Sequence, residues 1–458
     1  MKVMSGLDAR FFYSETRTAH MHTMKVVVVD ITGRDEPLSR EVLPLVIEQR
    51  LERMPVLRRR IVPTPHGFGN PVIVDDPDFK IANHLRYVLA PAPGGPHDLD
   101  TVISQVASNP LRRDRPLWEL TVVEGLEHDR VAFVMKIHHA LADGVASVSL
   151  LENAFVTNDD EAVSEPFNPA PIPTKRELYR AAASSARHAA RTLPKVVKRT
   201  YSGVRESRAV KKTLSAPLPG PFAGPRTPFN VALTADRTFA SVEIPMADLL
   251  NAKRSSGATL NAVFLALCGG AIRQYLERMG ELPKGTLIAS VPMATRTDKH
   301  RLYGNHVDNL FLPIRSDLAD PKERVAAIHQ TAMAARKVRE KFGPDLFEWR
   351  SGLVPASMHG VLPQMWGATR LANRLRPPVN LIASCVRGPR ERLEVDGGAM
   401  TSLISSGPIL EGMGLNITAW SYADTMVVSL LGCSASLPDA QLLADDIRHE
   451  SEIWSSQF

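Results

Sequence analysis

Cysteine is scarce in this sequence, and the three present, Cys268, Cys385 and Cys433, fall at no paired spacing. That argues against a disulfide framework and against a zinc site, so no metal is expected, and it suits a reducing compartment. Long apolar runs are missing too. The longest, Ala262–Ile272, is much too short to span a bilayer. The N-terminal stretch Met1-Lys-Val-Met-Ser-Gly6 lacks the apolar core of a secretory signal. The expectation is a cytoplasmic protein, soluble or peripherally associated with the inner membrane face or lipid droplets. The chain also has no G-x-S-x-G, so the strained elbow that presents a nucleophilic serine in α/β-hydrolases is not available.

What is present is size and an uneven charge. A chain of 458 residues with 44% hydrophobic and 23% charged residues reads as globular. It suggests two domains of about 200 residues each. The net charge of +6 is concentrated in one segment: Lys175–Lys212 holds twelve Lys/Arg against Glu177 and Glu206, a local +10 that leaves about −4 elsewhere (+6 minus +10). Prolines flank it, at 166, 169, 171 and 173 before and at 217, 219, 221, 225 and 228 after. Composition therefore marks residues 157–228 as a linker with a helical middle, Arg176–Thr192, between an N-terminal domain, 1–156, and a C-terminal domain, 229–458. Leu178, Leu193, Val196 and Val197 among its cations suit a helix lying on anionic lipid, a membrane or lipid-droplet surface, as well as they suit a solvated tether. Tyr179 and Tyr201 show no regular aromatic interleaving, so no nucleic-acid partner is expected.

The most informative stretch runs from Val131 to Val145. Val131–Ile137 is β-branched and apolar and predicts a buried strand. It stops at His138 and His139, and four residues further on come Asp143 and Gly144. Adjacent strand residues face opposite ways, so one histidine can face a cleft while the other packs inward. A neutral imidazole can accept a hydroxyl proton near pH 7. Asp143 can orient the loop, and Gly144 permits close backbone or substrate approach. Leu120–Val123 and Val131–Ile137 predict a hairpin that delivers the histidines to the centre of the N-terminal domain. Helices are expected at Glu41–Arg53, Thr259–Leu276 and Asp320–Lys341, with further strands at Leu287–Val291, Val379–Cys385 and Thr425–Leu431. Arg58-Arg59-Arg60 reads as a solvated strand edge ahead of an anion contact.

His138-His-Ala-Leu-Ala-Asp-Gly144 resembles the signature of the acyl-CoA-dependent acyltransferase superfamily, which includes chloramphenicol acetyltransferase, peptide-synthetase condensation domains and the bacterial wax ester synthase/diacylglycerol acyltransferases. Within it, the chain is most similar to the last group. Leu7-Asp-Ala…Met21-His22, Pro116-Leu-Trp-Glu119, Arg226-Thr-Pro-Phe-Asn230, Asn261, Val291-Pro…Arg296, Gly304-Asn305, Leu415-Asn416 and Ser421-Tyr422 follow in that family's order. The resemblance implies two α/β, chloramphenicol-acetyltransferase-like domains with the active-site tunnel between them. It makes His139 the general base and His138 its packed neighbour. It pairs Asp143 with Arg296, makes Asn261 a candidate oxyanion donor, and places Trp118, Asn309 and Ser384 at the substrate. It implies no resident cofactor, with acyl-CoA as donor substrate. Two pieces depart from the family pattern: Asn261-Ala262 stands where Asn-Asp is common, and Ser384-Cys-Val-Arg-Gly-Pro389 where Ser-Asn-Val-Pro-Gly-Pro is common.

The expected activity is transfer of a long acyl group from acyl-CoA to diacylglycerol, with fatty alcohol as the close variant. Two alternatives stand beside it. One is an acyltransferase taking a carrier-protein thioester and a polyketide or sugar hydroxyl; the other is a lipid-binding homologue with impaired turnover.

Overall fold

The computed structural model describes the chain apart from residues 33–39, 41, 144–145, 148–149, 151–152, 155–166, 168, 215–217, 221, 295–303, 306, 344–345, 354–355 and 396–397. Its first half opens with β1 (Lys2–Val3) and α1 (Gly6–Ser14), a helix started by Ser5, whose Oγ accepts the Asp8 N–H. There follow β2 (His22–Asp30), α2 (Val42–Arg50), β3 (Arg59–Val62), β4 (Val72–Asp75) and β5 (Leu85–Leu89). α3 (Pro96–Ser108), β6 (Trp118–Leu126), β7 (Arg130–His138) and α4 (Lys175–Lys211) complete it. β6 and β7 form the expected antiparallel hairpin, and β2 lies on the other side of β7 with His22 opposite His138.

The second half contributes β8 (Thr238–Pro245), α5 (Met246–Ser256), α6 (Leu260–Arg278), β9 (Ile288–Ala294), β10 (Val307–Pro313) and α7 (Pro321–Glu340). α8 (Leu346–Leu353), α9 (Ala356–Ala368), β11 (Leu381–Arg387), β12 (Glu394–Val395), β13 (Gly398–Ser406), β14 (Asn416–Tyr422), β15 (Thr425–Gly432) and α10 (Ala440–Gln457) follow. Its core is α6, sequestered along almost its whole length because it is apolar on every side. The polar centre of that packing is Arg324, which donates to Glu450 Oε1 at 2.6 Å, while Trp454 Nε1 and Gln274 Nε2 donate to the same carboxylate at 2.8 and 2.7 Å. Gly270 makes this approach possible: a Cβ there would stand 2.2 Å from Glu450 Oε1.

Two six-stranded sheets result, in the orders β12-β13-β2-β7-β6-β5 and β10-β9-β11-β14-β15-β8, with a small three-stranded sheet β1-β4-β3 beside them, so the chain has an α/β fold built on two large sheets. Every strand of the second large sheet lies after residue 229, whereas the first draws on both halves of the chain. β12 and β13 leave the C-terminal half and extend the first sheet, β13 running antiparallel to β2 from Ala399 opposite Asp30 to Ser406 opposite Met24. The halves are thus interlocked. Cores merge as well: Val26, Val123 and Val134 share one cluster with Phe239, Val427 and Leu431.

Two local expectations change. The linker helix is longer than the sequence pattern indicates, 37 residues running through Pro194, and Leu178 and Val196 are buried against the protein while Leu193 and Val197 remain exposed. It is docked and not a free tether: Gly203 lies against the Phe342 ring and Arg199 Nε donates to the Phe342 carbonyl at 3.0 Å. Arg58, read as part of a solvated edge, is buried with its guanidinium over the Phe167 ring; Arg59 keeps the edge role in a pair with Asp75.

Candidate active site

The histidines end β7, and the pleat separates them. His138 is fully buried on the side of β2 and α1. Its Nδ1 accepts the Ala140 N–H at 3.0 Å, which leaves the proton on Nε2, 3.4 Å from Glu15 Oε2. Glu15 also lies 3.4 Å from His22 Nε2 and receives Arg113 at 2.6 Å. Burial pushes the Glu15 carboxyl up, but its contacts with His138 and His22 and the Arg113 guanidinium outweigh it and hold the group well below the usual carboxylate range.

His139 is half-buried on the other side. Its N–H donates to the Met21 carbonyl at 2.7 Å, and its ring stacks on Phe11 of α1 with centroids 4.2 Å apart. Nδ1 is enclosed without a hydrogen-bond partner among the described residues, which leaves Nε2 as the ring nitrogen to consider for a substrate. Burial lowers the imidazole pKa to about 4, Asp143 opposing and Lys25 reinforcing the shift. The ring is therefore neutral at pH 7 and can take a proton.

A short chain of hydrogen bonds fixes the loop. Asn305 Nδ2 donates to the His139 carbonyl at 2.7 Å and to Asp8 Oδ1 at 2.8 Å, and Asn305 N donates to the same Asp8 oxygen at 2.9 Å. Burial raises Asp8 to about 6 against these bonds. Gly304 bridges Ala142 in parallel register, and its N–H donates to the Leu141 carbonyl at 2.7 Å. Asp143 is buried, accepts the Ala146 N–H on Oδ1 at 3.0 Å and donates its own N–H to Gly304 O at 3.3 Å. The first half's motif is thus clamped by a piece of the second half. Gly144 and Arg296 lie outside the described residues, and with them the Asp143–Arg296 pair.

Next to the motif is an apolar pocket enclosing about 870 Å³, part of it open to solvent, lined by Met54, Leu57, Trp118, Met135, Ile137 and Leu150 among others. Trp118 is held rigidly there: its Nε1 donates to the Leu57 carbonyl at 2.6 Å and its ring stacks on His84 at 4.4 Å. Lys25 also lines the pocket, donates to Ser405 Oγ at 2.6 Å across the β2–β13 pair, and sits over the Trp420 ring. Burial lowers its pKa to about 7.

The remaining candidates are more dispersed. Asn261 sits half-buried in the first turn of α6, and the cap of that helix is Thr259, whose Oγ1 accepts the Ala262 N–H at 3.3 Å. Asn309, on β10, accepts from Ser290 Oγ at 3.2 Å. Ser384, on β11, lies opposite Thr418 of β14. Among the described residues no hydrogen bond joins any of these three to the histidines. Of the departures from the family pattern, Ala262 is core, and Cys385 is a half-buried thiol that desolvation pushes up to about 12, which makes it a poor nucleophile.

Glu15, Phe11 and Lys25 carry no role in the sequence-based reading. Only Lys25 leaves a signal there, as a lone charge inside the run Met24–Val29.

Residues 4–264 match the model of the wax ester synthase/diacylglycerol acyltransferase catalytic domain, and residues 303–453 that of the family's C-terminal domain. The chain belongs to this family. Among its relatives are two Mycobacterium tuberculosis proteins (strain H37Rv) named by inference as diacylglycerol O-acyltransferases. One is 35% identical over 98% of this chain and 95% of its own length, the other 31% identical over 99% and 96%. In structure, the wax ester synthase/diacylglycerol acyltransferase of Marinobacter aquaeolei VT8 superposes with a TM-score of 0.69 over 100% of this chain and 99% of its own at 21% identity. The first condensation domain of the CDA synthetase gives 0.57 over 99% and 95% at 17% identity, a likeness of fold.

Proposed function

We propose that this family member is a long-chain O-acyltransferase that moves a fatty acyl group from acyl-CoA to the hydroxyl of diacylglycerol, with a long-chain alcohol as a second acceptor class. The observation that carries this is a half-buried, neutral imidazole just past β7, the strand whose Met135 and Ile137 line an apolar pocket. His139 Nε2 takes the acceptor's proton as its oxygen attacks the thioester carbonyl. The tetrahedral intermediate then collapses, the C–S bond breaks, and the imidazolium returns the proton to the CoA sulfur, leaving ester and free CoA. His138, locked by Ala140 N–H and Glu15, holds the turn that presents its neighbour. Asp143, with Arg296, holds the loop. The pocket behind Trp118 takes the acyl chain, which is apolar and needs no partner there. Asn261 is the proposed donor to the oxyanion, and Asn309 and Ser384 line the path between the sheets.

Such substrates reside in or beside membranes, so the protein meets a lipid surface at the inner membrane face or on droplets, and the exposed cations of Lys175–Lys212 supply an electrostatic contact. Supplying palmitoyl-CoA with diacylglycerol or hexadecanol, and identifying the ester formed by mass spectrometry, tests the reading. Triacylglycerol or wax ester supports it; acyl transfer solely from a carrier-protein thioester would replace it.

A further inference from the structure

α9, Ala356–Ala368, is amphipathic in the reverse sense. Its outward positions are Met358, Val361, Leu362 and Met365, at i, i+3, i+4 and i+7, and they are 49%, 49%, 63% and 57% exposed. Its inward face is close-packed: a Cβ on Gly360 would stand 2.9 Å from the Tyr13 carbonyl, and one on Gly367 would stand 3.1 Å from Glu411 Oε1. The apolar stripe is therefore left facing solvent by a helix that is firmly seated. Leu375 extends it, 43% exposed.

The chain segment that carries the stripe has charges of one sign. From Arg350 to Arg390 the chain has no Asp or Glu, and Arg370, Arg374 and Arg376, which follow the helix, are exposed. Glu411, a carboxylate that lies against Gly367, is turned inward, accepting Thr18 Oγ1 at 2.6 Å and Leu233 N at 3.2 Å. We infer that this face is an interfacial lipid-docking surface: the stripe enters the acyl boundary of an anionic membrane or droplet while the three arginines meet headgroups. Charge complementarity selects this occupant over a second copy of the chain, which would set arginine against arginine. At 13 residues the helix is about 20 Å long, too short to cross a bilayer and suited to lying on it.

The surface has a direct mechanical relation to the candidate base. α9 packs on α1, with Ser14 Oγ donating to the His359 carbonyl at 3.3 Å, and α1 carries both Phe11 on the His139 ring and Asp8 on Asn305. Docking here brings a lipid acceptor to within one helix layer of the His139 ring. The inference rests on the acyltransferase reading for its purpose, but its test does not.

The full-length protein is sedimented with vesicles of phosphatidylcholine alone or mixed with phosphatidylglycerol, as wild type, as Leu362→Glu/Met365→Glu, and as Leu193→Glu/Val197→Glu on α4. All these side chains are exposed, and thermal melts check the fold. The expected result is preference for the anionic vesicles and at least a tenfold loss of binding in the α9 variant, larger than in the α4 variant. Undiminished binding by the α9 variant would overturn the inference, as would a wild type that binds neither vesicle. So would a wild-type dimer that the variant converts to monomer. Because sedimentation needs no turnover, a protein that binds through α9 yet transfers no acyl group would contradict the acyltransferase reading and leave the docking face standing.

Discussion

At the scale of single residues the site separates a reactive group from its supports. His139 is kept neutral by burial, which lowers its pKa to about 4, so the base form persists well below the usual histidine range. The pH profile of kcat/KM should therefore stay flat through pH 6.5 and fall only near pH 4; a fall centred on 6.5 would place the base in a solvated histidine. Glu15 is the main support, with His138, His22 and Arg113 converging on it. Its folded-state pKa is depressed, so its contribution is present above the unfolded value near 4.5 and is lost as pH falls below it. Glu15→Gln should lower stability at pH 7 by roughly 1–3 kcal/mol, the cost of an imperfectly satisfied buried site, with the deficit closing below pH 4.5 in chemical denaturation. A variant equally destabilised at both pH values would contradict the assignment of charge to this group.

At the scale of elements, the strand ending at the histidines, its hairpin partner and the helices at 260–278 and 321–340 were legible because their patterns are local. An apolar β-branched run stopped by polar residues and an aspartate ahead of a helical repeat need no tertiary knowledge. α4 was legible in sign but not in extent, since Pro194 argues for a stop that packing overrides. Two of its apolar residues, Leu178 and Val196, turn toward the protein for the same reason. Deleting this helix would thus unseat packing along with charge. Reversing the exposed Lys195, Lys198 and Arg205 to Glu tests the α4 contribution: the salt-sensitive part of binding to anionic vesicles should shrink, leaving the part carried by Arg370, Arg374 and Arg376, with the melting temperature unchanged. In the second half, Glu450→Ala strands Arg324 in the core and should cost about 3–5 kcal/mol in denaturant unfolding.

At the scale of the molecule, the interlock of the halves was not legible. Nothing in Gly398–Ser406 states that it pairs with β2, because strand partners are chosen by long-range packing. The clamp of Gly304 and Asn305 on the histidine loop is equally non-local; the resemblance marked those residues, but their contacts came from the fold. A further staple joins α3 to β8, where Asp100 accepts Ser241 N at 2.9 Å and Ser241 Oγ at 2.8 Å. Burial raises Asp100 to about 7, with the Ser241 bonds opposing. Its folded pKa lies above the unfolded value of 3.8, so stability is fully present below 3.8 and declines as pH rises through 7. Asp100→Asn can keep both hydrogen bonds and should lose that decline, visible as a flatter melting temperature between pH 5 and 8; identical pH profiles for variant and wild type would contradict it.

The central claim is that His139 deprotonates an acceptor hydroxyl for attack on an acyl thioester. Its most direct test is CoA release from palmitoyl-CoA with diacylglycerol, with hexadecanol or without acceptor, wild type beside His139→Ala. Acceptor-dependent release that falls by at least ~10²-fold in the variant, with its melting temperature kept, is the expected result. Release that is independent of acceptor, or that survives in the variant, would contradict it.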